Sequence, residues 1–383
     1  MSTAIETRCI HGKADSSLED RFRAVSFPIY QTATFSHIDT GHNLSGFDYT
    51  RESNPTRSHT EEAVAAIEEA AQAIGFSSGM AAISCFFELF GPGDHIVCSE
   101  DLYGGVFRLH RLVSEKNGVT VTYTDTSDLG AVRSAIRPET KAIYLETPTN
   151  PMMHVSDLRA LAALAHENGA LLAVDNTFLS PYFQNPLTLG ADVVIHSASK
   201  FLSGHNDTVA GFICLNDSAL SERIRLLAKT TGASLSPFDS FLVERGIKTL
   251  AVRMERQQEN ALALARFLRE LREFRDVYYI GLPDQKGYEL NLSQARGFGS
   301  MISAHTKDRE TAVKLLHSVK LFTFAESLGG TESLVTYPLI QTHPDVPEEL
   351  KARLGIDETL LRFSVGLENI NDLIADITQA LEG

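Results

Sequence analysis

Residues 170–208, ALLAVDNTFLSPYFQNPLTLGADVVIHSASKFLSGHNDT, restrict the fold more than any other part of the chain. Two apolar runs, 171–174 and 193–195, each end in polar residues and read as buried parallel strands. Asp175 closes the first run, and Lys200 stands just past the second. Open α/β sheets bind ligands beyond the carboxyl ends of their strands, so this carboxylate and this amine should face one crevice. Ser197 and Ser199 precede the lysine, and Ser203-Gly204-His205 follow it. Hydroxyls around a lysine suit a phosphorylated cofactor attached through the amine, with the aspartate as its acid partner. Pyridoxal 5′-phosphate (PLP) needs both. On spacing alone, an aspartate capping a loop and an ordinary solvated lysine fit equally well.

The run from DNTF through SPYFQNPLTLGADVVIHSASKFLSGHNDTVAG resembles the lysine segment of the cystathionine γ-synthase family, the PLP-dependent trans-sulfuration enzymes of Cys/Met metabolism. The likeness extends from Thr7 to Leu381. It implies an α/β fold of the aspartate-aminotransferase-like type (fold type I), with a mostly parallel sheet domain and a smaller α+β C-terminal domain. Strands alternating with helices along the chain point to the same parallel sheet. The resemblance divides the chain into an arm over 1–57 that reaches the neighbouring subunit's site, a PLP-binding α/β domain over 58–243, and a linking helix with the C-terminal α+β domain over 244–383. It makes Lys200 the cofactor-bearing lysine and Asp175 the group that keeps the ring nitrogen protonated.

Length fits that division, since 383 residues are too many for one small core. With 34 basic and 49 acidic residues the formal charge is −15, which argues against nucleic acid or an anionic membrane as partner. Cys9, Cys85, Cys98 and Cys214 show neither paired nor metal-type spacing and read as reduced thiols, so no metal is expected. The first residues lack an apolar leader, and no run reaches the roughly 18 apolar residues of a membrane span. The expected location is the cytoplasm.

Residues 1–57 show little helical periodicity and carry loop signals at Phe27-Pro28, Thr40-Gly41 and Asn54-Pro55. Within them, Tyr49 and Arg51 match the family's phosphate-binding pair on the arm; an arginine fork can meet two phosphate oxygens. Ser58-His59-Thr60-Glu61 has capping-box form and predicts a helix over 63–74. A second helix is expected over 81–90, opened by Ser78-Gly79-Met80. Free N–H groups at such a start form a phosphate site, and the resemblance assigns it to Gly79 and Met80. Strands follow at 95–99, 119–123 and 142–145, with a crossover helix over 158–167.

Tyr103 matches the aromatic that stacks on the cofactor ring and takes part in proton transfer, and Asn150 matches a position near the cofactor's phenolic oxygen. Methionine γ-lyases typically carry cysteine where this chain has Gly105, which counts against that activity. Helices are expected over 218–230, 244–271, 309–316 and 370–381. In the tail, Ser327 of the ESLGG run matches a residue that holds the lysine amine. Arg362, a charged residue inside the apolar run LRFSV, matches the substrate carboxylate clamp, with a structural ion pair as the alternative. Asp48 and Glu332 sit where relatives face the distal end of cystathionine.

These matches imply a PLP-dependent carbon–sulfur lyase acting on sulfur amino acids, foremost a cystathionine lyase working by β- or γ-elimination. The alternative is a cystathionine γ-synthase, joining cysteine to an activated homoserine, with methionine γ-lyase behind it. From other classes, an inert PLP-binding scaffold lacks support because no central residue is missing. An aminotransferase is disfavoured by the arm, the Tyr103 turn and the ESLGG loop. The family also implies a homo-oligomer, a tetramer built as a dimer of active dimers.

Overall fold

The computed structural model describes residues 3–12, 18, 20, 22–40 and 45–382. Gly41 of the Thr40-Gly41 loop signal and several other residues of the expected arm lie outside them. The first sheet has seven strands: β1 (Gln72–Phe76), β2 (His95–Ser99), β3 (Thr120–Thr124), β4 (Thr140–Glu146), β5 (Leu171–Asp175), β6 (Val193–Ser197) and β7 (Gly211–Leu215). Their order is β1-β7-β6-β5-β4-β2-β3. All neighbours from β3 to β6 run parallel, and β7 alone runs antiparallel, to both β6 and β1.

The middles of the central strands are apolar because both faces are covered, and polar residues stand at their carboxyl ends. Leu172, Val174 and Val194 pack on one face with Val64, Leu161 and Met254. Ala173, Val193 and Ile195 pack on the other with Ala82, Phe86 and Ile224. The second sheet joins β8 (Phe274–Tyr278), β9 (Met301–Thr306), β10 (Thr323–Phe324), β11 (Leu334–Thr336) and β12 (Leu360–Ser364) in the order β10-β11-β12-β9-β8. Helices Arg309–Ser318 and Ile370–Glu382 bury Leu315 and Ile377 against it.

Three expectations change. The helix expected over 63–74 spans Pro55–Glu68, and Ala73 to Phe76 belong to β1 instead. Asn54 caps it by accepting the Thr56 N–H at 3.0 Å, with Pro55 in the first turn. That start outcompetes the Ser58 signal one turn later. The run over 244–271 is two helices, Pro237–Ile247 and Leu250–Glu270. Gly246 lies so close to the Ser203 and Leu202 carbonyls that no Cβ fits, and buried Arg253 holds the corner through the Gly246 carbonyl at 2.8 Å. The N-terminal region also holds a helix, Ile5–His11, whose Ile5 and Cys9 are buried.

All four cysteines are free and buried. Among the described residues, no helix is long and apolar enough to cross a membrane.

Candidate active site

A cavity of about 600 Å³ opens at the carboxyl ends of β4, β5 and β6 and extends to the second sheet. Lys200 enters it from the turn after β6. Gly204 N–H closes that turn on the Lys200 carbonyl at 2.8 Å, and Arg253, 2% exposed, braces it by donating to the Phe201 carbonyl at 2.7 Å. The Lys200 amine donates to Ser327 Oγ at 2.8 Å. Burial lowers its pKa to about 8, helped by the Arg362 charge and opposed by Glu326.

Ser327 serves two residues. Its hydroxyl takes the lysine, and its carbonyl accepts from Arg362 Nη2 at 3.2 Å. It holds a left-handed φ of 129°. Arg362, on β12, is 2% exposed and also donates to Asn150 Oδ1 at 2.8 Å and Thr336 Oγ1 at 3.3 Å. All these acceptors are neutral, and among the described residues Arg362 makes no ion pair, so the structural ion pair is absent. Its Nε is buried without a partner. Burial lowers the guanidinium pKa to about 10. A buried guanidinium fork with an unpartnered N–H has the donors a carboxylate can use.

Asp175, at the end of β5, accepts the Thr177 N–H at 3.0 Å. Burial raises its pKa, while Thr177 and nearby His196 lower it. Across the parallel pair, Glu146 accepts the Tyr103 N–H at 3.0 Å and thereby fixes the turn that places Tyr103 on the cavity wall. Burial also raises the Tyr103 phenol. A Cβ at Gly105 would stand 2.5 Å from Tyr103 Cε1, so a cysteine there displaces the ring.

Gly79 and Met80 open the helix Gly79–Phe87, whose N-cap Ser78 takes the Ala81 N–H at 3.0 Å. The first N–H groups of a helix lack intrahelical partners. Gly79 backs onto Ser197, where a Cβ would come within 2.7 Å of Ser197 Cβ. Ser199, whose Oγ accepts the Ala210 N–H at 2.9 Å, lines the same corner. The result is a glycine-floored cradle of backbone and hydroxyl donors, the shape and chemistry a phosphate requires.

Lys200, Asp175, Tyr103, Gly79, Met80, Asn150, Ser197, Ser199, Ser327, Arg362 and Glu332 all line this one cavity. Asp48, Tyr49 and Arg51 do not. Asp48 meets His37 at 2.9 Å, Tyr49 is 43% exposed, and Arg51 donates to the Lys229 carbonyl at 2.9 Å. Sequence reasoning gave no role to Glu146, Arg253 or Asn206. Each acts through contacts between distant chain segments, although Glu146 ends an apolar strand as Asp175 does.

A lysine beside a helix-start phosphate cradle, a buried aspartate at the adjacent strand end and an aromatic on the wall define a fold type I PLP enzyme, and the residues present fit that cofactor. The family model for Cys/Met metabolism PLP-dependent enzymes matches residues 6–382, and the chain belongs to that family. It is 45% identical over 380 residues to a cystathionine β-lyase of Lactococcus lactis, covering 99% of each chain. It is 44% identical over 378 residues to the cystathionine γ-synthase of Haemophilus influenzae, covering 98% of this chain and 97% of the other. The crystal structure of a cystathionine γ-lyase from Lactobacillus plantarum complexed with L-serine superposes with a TM-score of 0.95 at 41% identity, covering 99% of each chain.

Proposed function

We propose that this protein is a cystathionine lyase that cleaves a carbon–sulfur bond by β- or γ-elimination. The observation that carries the reading is the Ser327 bridge: one residue contacts both the Lys200 amine and the Arg362 fork, in a cavity that also reaches Glu332. When bound, PLP supplies an electron sink for the carbanion formed at the substrate Cα.

The side chains divide the remaining work. Arg362 clamps the α-carboxylate and so fixes which Cα substituent faces Lys200. Lys200, partly neutral near pH 8, removes the Cα proton and Ser327 aims its amine. Asp175 would hold a proton on the ring nitrogen of the bound cofactor. Gly79, Met80, Ser197 and Ser199 would hold the phosphate, and Tyr103 would cover the ring. Asp48, Tyr49 and Arg51 belong to an arm that completes the neighbouring subunit's site, which requires at least a dimer and fits a tetramer in the cytoplasm.

In β-elimination, cystathionine and water yield homocysteine, pyruvate and ammonia. In γ-elimination they yield cysteine, 2-oxobutyrate and ammonia. A γ-synthase is the second reading, favoured by the near-equal identity to the Haemophilus synthase. Purified protein given L-cystathionine is expected to release pyruvate or 2-oxobutyrate, and which appears assigns β or γ cleavage. Release of neither, with cystathionine formed from cysteine and an O-acylhomoserine, would make it a synthase.

A further inference from the structure

We propose that Asn206 is a positioning residue for the distal end of the substrate, acting through Glu332. The inference rests on the reading of cystathionine as substrate. Asn206 lies six residues beyond Lys200 on the same loop, and its Nδ2 donates to Glu332 Oε2 at 2.9 Å. Thr331 Oγ1 donates to that same oxygen at 3.1 Å. Two neutral donors thus hold Oε2, which leaves Oε1 for a cation. Both Asn206 and Glu332 line the cavity that contains Lys200 and Arg362.

The backbone is built for this contact. Asn206 has φ +54°, a left-handed conformation that asparagine accepts more readily than most residues. Its amide occupies the space a Cβ at Gly330 would need, so Gly330 lets the two segments touch. Gln257 anchors the Gly330 carbonyl at 2.7 Å, which keeps the Glu332 segment in place. The donor type matters as much as the position. An amide orients a carboxylate without bringing a charge of its own to compete with a distal ammonium. A lysine or arginine there would cancel the carboxylate's charge, and an aspartate would repel it. One loop therefore carries the reacting amine at one end and the group that tunes substrate choice at the other.

The test uses the full-length holoenzyme and two variants that tolerate the left-handed backbone. Asn206→Gly removes the amide, and Asn206→Asp replaces the donor with a carboxylate of the same shape. KM and kcat are measured with L-cystathionine and with S-ethyl-L-cysteine or S-ethyl-L-homocysteine, whichever bond the enzyme cleaves. Asn206→Gly should raise KM for cystathionine about three- to tenfold more than KM for the S-ethyl compound. Asn206→Asp should raise it further, and in a Glu332→Ala background Asn206→Gly should add nothing. If Glu332→Ala discriminates the two substrates and Asn206→Gly does not, the role of Asn206 is refuted while the substrate reading stands. Equal effects of Asn206→Gly on both substrates would mean that it merely supports the loop. If Glu332→Ala itself fails to discriminate, the substrate reading falls, and the role of Asn206 with it.

Discussion

Glu146 stands opposite Asp175 at the carboxyl ends of β4 and β5, two buried carboxyls in register across a parallel pair. Their surroundings differ. Burial raises the pKa of both carboxyls; the Asp175 charge adds to the rise at Glu146, whereas Thr177 and His196 offset part of it at Asp175. Glu146 accepts the Tyr103 N–H, a task a glutamine carbonyl performs equally. Glu146→Gln should keep kcat/KM within a few-fold of the wild type. Asp175→Asn should retain the cofactor yet lose roughly a thousandfold in kcat/KM, because an amide cannot hold a proton on the ring nitrogen. Absorbance of bound cofactor and steady-state kinetics check both, and equal losses in the two variants would contradict the division of roles.

The lowered pKa of Lys200, about 8, makes a statement about pH. Only the neutral amine attacks a carbonyl, and below its pKa that form falls about tenfold per pH unit. PLP uptake by cofactor-free protein, followed by absorbance, should therefore rise with pH and level off above about pH 8 instead of climbing toward 10.5. Borohydride reduction and peptide mapping should then find the label on Lys200. A label on Lys141 or Lys248 would move the site elsewhere.

Ser327 is a place where stability and activity should separate. Its left-handed φ of 129° costs a non-glycine residue about 1–3 kcal/mol, and glycine relieves that at an entropic cost of roughly 0.5–1 kcal/mol. Ser327→Gly keeps the carbonyl that Arg362 uses but deletes the hydroxyl that holds Lys200. The variant should melt no lower than wild type while turnover drops about tenfold or more. A lower melting temperature with intact kcat would invert the argument.

How much was legible follows from how local each feature is. Asp175, Ser197, Ser199 and Lys200 fall within one short stretch, so strand ends and spacing placed them together. Arg362 stood out because a charge in an apolar strand is anomalous by itself. Arg253 and Asn206 gave no such signal. Phe201, which Arg253 braces, and Glu332, which Asn206 holds, lie 52 and 126 residues away in sequence, and only the folded chain brings them within hydrogen-bond reach. Asn54-Pro55 and Ser58–Glu61 are competing start signals one turn apart, so spacing alone does not place the start of helix Pro55–Glu68, and β1 leaves little local trace because its pairing partner, β7, is 139 residues further on (72 to 211).

Tyr49 and Arg51 lie outside the cavity of their own chain, with the Arg51 guanidinium 5.4 Å from the Tyr49 ring centroid and one N–H on the Lys229 carbonyl. An exposed aromatic–arginine pair on a segment with little core is well suited to a phosphate supplied by a second copy of the chain. If so, Lys200→Ala and Arg51→Ala chains, each inactive alone, should complement each other. Random exchange places a sound lysine and a sound arm together at one site of each mixed dimer and two defects at the other. At an equal ratio about half the dimers are mixed, so recovery should approach a quarter of wild-type activity. Differently tagged chains, purified through both tags, confirm exchange before the assay. Mixed dimers that remain inactive would return the arm to its own subunit's cofactor.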